Sequence, residues 1–253
     1  MKLFLSHDHF IDTDKPIDIS IPIVKGDESL RAWYVDPPRM EPVRANGFIG
    51  AVSEGGSVNF RDIYFNPHGH GTHTECLGHI TEKVYSVNDT MRSFICKAQL
   101  VTFEPARIWN EIYDEEDQVI LKDQFDSIIF EKDIEALVIR TSPNPLEKKH
   151  LNYSATNPPY LHENTFEVIK RLGIKHLLID IPSVDRETDG GELKFHHLFW
   201  GVPDALDFEK TITELIYVPD TVADGIYVLE MQVAAFENDA APSRPVLYNI
   251  GSV

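Results

Sequence analysis

Residues 68–79 read HGHGTHTECLGH and gather His68, His70, His73, Glu75 and His79 into one short window. Core packing does not call for that composition. Gly69, Gly71 and Gly78 work against a regular helix, because glycine is a weak helix former. In an extended stretch, side-chain direction repeats every two residues, so His73 and Glu75 project to the same side. The fold is therefore expected to present imidazole and carboxylate together from a short extended segment. That pairing suits zinc, manganese or iron. Such a cation supplies a Lewis acid and an activated water near neutral pH. A histidine-rich exposed loop would explain any one of these imidazoles. It does not explain four of them with a carboxylate among glycines.

Bulk properties narrow the function class. The 253 residues are 42% apolar, enough to bury a substantial core. Net charge is −18, from 23 basic and 41 acidic side chains. Nucleic acid and anionic membrane both need cationic surface, so neither is expected as a partner. After Lys2 the apolar run is only Leu3-Phe4-Leu5, which is no signal peptide, and no window reaches membrane-span length. The two cysteines, Cys76 and Cys96, are expected to be free thiols in a reducing, cytoplasmic setting.

No repeat or low-complexity linker divides the chain, which reads as one domain over 1–253. Strands are expected at Ile17 to Val24, Phe48 to Val52, Ala98 to Phe103, Ala136 to Ile139, His176 to Ile181, Thr213 to Val218 and Gly225 to Val233. One helix is clear in HENTFEVIKRLG, where Phe166, Ile169 and Leu172 recur at three-residue steps and Gly173 fits the stop. Strand, helix and strand in that order suggest an α/β fold, and the surplus of strands makes it β-rich.

The second half offers more ligands. Asp180 and Asp185 follow a buried-strand pattern, and His196-His197 lie between Phe195, Phe199 and Trp200. Glu214 interrupts the apolar stretch ITELIYV, where a carboxylate is costly unless paired or coordinated. Nucleophile schemes are weaker. There is no G-x-S-x-G elbow around Ser183, and His79 beside Cys76 has a better use than as a thiol base.

Several of these segments, in this order, resemble the metal-dependent cyclase-like hydrolases that include bacterial kynurenine formamidase. IDISIPI resembles the family's D-L-S-x-P opening. HGHGTHTECLGH resembles HxGTHxDxPxH. Asn157 to Asp185 resembles a helix followed by G-x-D-x-P-S-x-D. His196-His197 resembles the H-x-x-L region, Glu214 with PDTVADGIYVLEMQV the E-N-L strand and hairpin, and Pro242 to Val246 the closing S-P-x-R-x-V. The resemblance covers most of the chain. It implies a β-rich α/β domain of the swivelling β/β/α type and one or two divalent ions, zinc first and manganese second. It assigns His68, His73, Glu75, His196 and Glu214 to the metal and proton transfer to His79. His197 is the fallback for His196. Asp180 and Asp185 would support the ligands rather than coordinate.

Three departures stand out. Gly69 occupies the position of the family's first histidine, so either His68 or His70 takes that role. Glu75 replaces an aspartate. Cys76-Leu77-Gly78 replaces a proline-containing segment. The resemblance implies hydrolysis of an amide or related cyclic carbonyl–nitrogen bond in a small molecule. The competing expectation is a non-catalytic metal-binding or ligand-binding protein of the same fold. A homo-oligomer, dimer or tetramer, is also implied. An N-terminal arm to about residue 40, carrying Trp33, Tyr34 and Pro37-Pro38, would pack on a neighbour. Trp200 and Phe199 are candidate pocket walls, with core packing the alternative.

Overall fold

The computed structural model describes residues 1–253. One eleven-stranded sheet organises the chain. Its strands are β1 (Lys2–Phe4), β2 (His9–Asp12), β3 (Ile17–Asp18), β4 (His73–Glu75), β5 (Ile95–Phe103), β6 (Ala136–Thr141), β7 (His176–Ile179), β8 (Thr211–Glu214), β9 (Gly225–Glu230), β10 (Ala240–Pro242) and β11 (Val246–Ser252). They run in the order β1-β2-β11-β9-β5-β6-β7-β8-β4-β10, with β3 paired to β11. The four strands β5 to β8 are parallel to one another, and antiparallel strands flank them on both sides. The fold is a β-rich α/β arrangement with few helices.

The parallel centre is buried on both faces, as parallel strands usually are. In β6, Leu137 and Ile139 join one core, while Ala136 and Val138 join the other. Alternation at period two therefore carries two cores rather than one core and a wet face. Each fully buried Leu or Ile contributes roughly 1.5–3 kcal/mol relative to exposure. The first core also holds helix α1 (Phe166–Leu172) and helix α2 (Lys194–Trp200), through Val168, Ile169, Phe195, Phe199 and Trp200. Helix α1 stops at Gly173, whose φ of 71° is the left-handed conformation glycine adopts freely. No helix is long and apolar enough to cross a membrane.

The expected strands at 98–103, 136–139 and 225–233 are present with shifted ends. The stretch 17–24 pairs as a ladder only at Ile17–Asp18. Beyond it the backbone docks singly, with Ile19 N–H on Pro245 and Thr72 N–H on the Ile21 carbonyl. Residues 2–18, part of the N-terminal region expected to form an arm that packs on a neighbour, extend the sheet edge through β1, β2 and β3. Segment 39–64 pairs outside the main sheet. It forms two separate two-stranded ribbons and leaves Phe48, Phe60, Ile63 and Tyr64 exposed.

Candidate metal centre

The centre lies at the junction of β8, β4 and β10. Register places Glu214 opposite His73 and Ile212 opposite Glu75, so His73, Glu75 and Glu214 share one face of the sheet. Thr74 and Thr213 take the other face and hydrogen-bond each other at 2.7 Å. The shared face is the one covered by α2, which lowers His196 onto Glu75. His196 Nε2 lies 3.1 Å from Glu75 Oε1. Asp185 fixes that helix start by accepting the N–H groups of Phe195 and His196, and its carboxylate holds His196 Nδ1 at 2.6 Å.

The loop before β4 brings in His68. Gly71 has φ of 67°, and a Cβ there would meet the Ile21 carbonyl at 2.8 Å, so the turn into β4 requires glycine. A side chain at position 69 would meet Val35 at 2.7 Å, because the Gly69 carbonyl accepts the Ala32 N–H at close range. The loop path thus crowds any side chain at position 69, and His68 enters the cluster. Its Nδ1 lies 3.0 Å from Glu75 Oε2. His70 turns away. Its Nδ1 accepts the Asn66 N–H and its Nε2 reaches the Asp36 carbonyl at 3.0 Å, so it braces the loop.

His79 follows on a 3-10 turn at Leu77–Ile80. Its ring stacks on His68 with centroids 4.2 Å apart, and its Nε2 is 3.8 Å from Glu75 Oε2. His197 lies outside the cluster and lines a separate surface depression with Phe166 and Lys170. Asp180 is also outside it, bonded to Thr141 and Lys148. Trp200 and Phe199 are fully buried in the core, with Trp200 Nε1 donating to the Lys210 carbonyl, so they do not wall the pocket. The Cys76 thiol points to the Tyr85 carbonyl at 3.3 Å and does not pair with His79. Sequence reasoning missed Asp239. Its Oδ2 lies 2.8 Å from His68 Nε2 and 3.2 Å from His79 Nδ1. In FENDAAPS it reads as an ordinary turn residue, and only the pairing of β10 with β4 brings it to the histidines.

Electrostatics separate the imidazoles. Burial opposes charge on His68 and His196. Carboxylates nevertheless raise the pKa of both rings to about 10, through Asp239 and Glu75 for His68 and through Asp185 and Glu75 for His196. The proton on the nitrogen that faces Glu75 would be displaced by a cation. Burial dominates at His73, aided by the charge on His68, and lowers it to about 4. Glu75 stays well below the usual carboxylate range despite its burial, because His79, His196 and His68 surround it. Burial and the charge on Glu75 push Glu214 well up. Asp239 is held low by its two histidine hydrogen bonds, against the effect of burial.

This donor set fits a divalent cation. His73 Nδ1 is committed to the Gly71 carbonyl at 3.2 Å, which leaves Nε2 buried and without a hydrogen-bond partner. Glu75 Oε2 is likewise buried and makes no well-aligned hydrogen bond, although His68 Nδ1 lies 3.0 Å from it. Native interiors seldom leave such atoms unsatisfied unless an ion or water completes them. Two groups of atoms converge closely enough to grip an ion: His68, Glu75 and His79, and His73, Glu75 and Glu214. Glu75 belongs to both. The cluster opens to a cavity of about 360 Å³ lined by Trp33, Val35, Asn66, Ser183 and Leu193 beside His68, His79, His196 and Glu214.

This combination of a β-rich α/β fold and a shared histidine–carboxylate cluster defines a class rather than one protein. Residues 17–186 match the family described as putative cyclase, and the chain belongs to that family. No curated protein sequence matches it. Among solved structures it is similar to a potential metal-dependent hydrolase with cyclase activity, with 16% identity and a TM-score of 0.65 over 92% of this chain and 97% of that one. It is similar to a predicted metal-dependent hydrolase from Bacillus stearothermophilus, with 18% identity and a TM-score of 0.60 over 92% and 98%. It is also similar to isatin hydrolase A from Labrenzia aggregata, with 14% identity and a TM-score of 0.60 over 92% and 93%. At these identities the likeness is one of fold.

Proposed function

We propose that this protein is a metal-dependent hydrolase that cleaves an amide, arylformamide-like or cyclic, or a related carbonyl–nitrogen bond in a small molecule. The observation that carries this reading is the buried His73, Glu75 and Glu214 group, with two atoms that make no well-aligned hydrogen bond, reached from an open pocket through Glu214. His68, His73, Glu75, His196 and Glu214 would hold one or two divalent ions, zinc first and manganese second. The ion, when bound, supplies Lewis acidity toward a carbonyl oxygen and lowers the pKa of water. His79 is the most exposed member of the cluster, with 30% of its side chain accessible and its ring on the pocket. With Nδ1 on Asp239, its Nε2 is free to take a proton from water and return it to the leaving nitrogen. Trp33, Val35 and Leu193 give the pocket an apolar side suited to the body of a small organic substrate.

The test is hydrolysis of formanilides, cyclic imides and lactones by protein of measured metal content. Activity should vanish with chelation and return with zinc or manganese. Full activity in verified metal-free protein overturns the reading. Tightly bound stoichiometric metal with no turnover on any of the three classes favours a binding protein instead.

The homo-oligomer, a dimer or tetramer, draws support from the 39–64 ribbons, since isolated two-stranded ribbons are only marginally stable in water. Light scattering that returns a monomer would remove it. A cytoplasmic setting is consistent with Cys76 and Cys96 as free thiols.

A further inference from the structure

Asp239 sits at the entry to β10, and its backbone is fixed from both sides. Its carbonyl accepts the Cys76 N–H at 3.0 Å, next to the pairing of Ala240 with Glu75. The neighbouring Asn238 carbonyl accepts the Val87 N–H at 2.8 Å, and the Asn238 side chain donates to the Ala240 carbonyl. From this platform one carboxylate oxygen reaches two rings, at 2.8 Å to His68 Nε2 and 3.2 Å to His79 Nδ1. An ionised carboxylate only accepts, so each of those nitrogens must carry a hydrogen. A neutral imidazole has a single N–H, and fixing its place decides which nitrogen keeps a lone pair. In both rings the remaining nitrogen faces Glu75 Oε2, His68 Nδ1 at 3.0 Å and His79 Nε2 at 3.8 Å.

We propose that Asp239 is a positioning residue of the centre: a single oxygen takes the ring N–H of both His68 and His79 and so aims His68 Nδ1 and His79 Nε2 at the space beside Glu75. The inference rests on the metal reading above and adds a shared orienting carboxylate to it. A backbone carbonyl does the same work for His73, through Gly71, and Asp185 does it for His196. Asp239 differs in serving two rings at once. Those rings are stacked with an interplanar angle of 28°, so they stand side by side over the same acceptor. Partners of this kind fix ring orientation and raise ligand basicity, and their loss commonly weakens metal binding by about 10- to 100-fold.

The experiment compares wild type with Asp239→Leu, which removes the acceptor at similar size, and Asp239→Asn, which keeps one acceptor oxygen in reach of both rings. Zn²⁺ affinity of metal-free protein is measured by competition with a chelator. Histidine ¹⁵N spectra are recorded on the Zn²⁺-loaded forms, and thermal midpoints on the metal-free forms. Asp239→Leu should bind Zn²⁺ about 10- to 100-fold more weakly, with Asp239→Asn recovering most of that loss. Wild type should carry the hydrogen on His68 Nε2 and His79 Nδ1. Unchanged Zn²⁺ affinity in Asp239→Leu, with only a lower thermal midpoint, would reduce Asp239 to a structural tie and overturn the proposal while leaving the metal reading intact. Wild type that takes up no Zn²⁺ removes the metal reading itself. If Asp239→Leu does not fold, the spectrum of the Zn²⁺-loaded wild type decides, and hydrogens on the opposite ring nitrogens overturn the assignment.

Discussion

Two buried carboxylates, Asp180 and Glu75, sit on neighbouring parts of the same sheet and are solvated in opposite ways. Asp180 accepts the Thr141 N–H at 2.9 Å and the Lys148 ammonium at 2.8 Å. Lys148 spends its remaining donors on the Thr141 hydroxyl and carbonyl. The chain supplies its own cation there, and every charge is answered. Around Glu75 the chain offers imidazoles, which can give up their protons. Glu75 Oε2 and His73 Nε2 make no well-aligned hydrogen bond, with His68 Nδ1 at 3.0 Å from the first and Glu214 Oε2 at 3.4 Å from the second. The difference teaches how to tell a structural ion pair from an exchangeable site. Both are buried and charged, but only one has donors left over for a guest.

The largest expected effect breaks the Glu75 side of this comparison. Glu75→Gln removes the carboxylate common to both donor groups, and Zn²⁺ retention and hydrolysis should fall by about a thousandfold, the worth of several kcal/mol of charge stabilisation. Exhaustive chelation of wild type should reproduce the loss of activity. Metal analysis of the purified variant checks the first, and turnover before and after adding zinc checks the second. Glu75→Gln that retains metal and turns over normally would dissolve the distinction.

The converse variant is Lys148→Met. It strands Asp180 without its cation, and breaking such a buried pair costs roughly 3–5 kcal/mol. The thermal midpoint should drop by about 10 °C, while Zn²⁺ affinity per folded molecule stays at the wild-type value. A loss of Zn²⁺ affinity as large as that of Glu75→Gln would mean that the two clusters are one.

Between these lies Asp185→Asn. Asp185 touches no proposed ion but holds His196 by its ring and by the first N–H groups of α2. Zn²⁺ affinity should fall about 10- to 100-fold, measurable by chelator competition. An unchanged affinity would show that α2 alone positions His196.

The sequence made the local parts of this site legible and left the non-local ones hidden. His73 and Glu75 on one side of a strand follow from period two alone. The helix over Phe166–Leu172 follows from its apolar spacing and Gly173. The strands at 98–103 and 136–139 announced themselves through apolar runs. The sequence favours His68 over His70, but the close approach of Gly69 to Ala32 and Val35 that sets the loop path is encoded by no local pattern. Helix α2 was not expected because its seven residues, KFHHLFW, carry more aromatic and histidine character than helix propensity. Asp239 stayed invisible because its role depends on a strand pairing across more than 160 residues.

The smallest effect sharpens the comparison through a histidine that has no carboxylate at all. His176 begins β7 and hydrogen-bonds Thr211 Oγ1 at 2.8 Å. Burial, helped by the charge on Lys175, lowers its pKa to about 4, whereas His68 and His196, also largely withdrawn from water, are raised to about 10. The partner rather than the burial sets the sign. In the unfolded chain a histidine titrates near 6.5, so between pH 6.5 and about 4 the unfolded state binds more protons than the folded one. The stability that His176 contributes is complete above that window and is lost as pH falls through it. From pH 7 to pH 5 wild type should lose about 2 kcal/mol through this group. His176→Asn keeps a hydrogen-bonding group near Nδ1 and cannot titrate, so its loss over the same interval should be smaller by that amount. Urea unfolding of both proteins at pH 7 and pH 5 measures the difference. Parallel behaviour of the two would mean that His176 is solvated well enough to protonate in place, and the contrast with the carboxylate-bound histidines would then reflect their surroundings less than the geometry suggests.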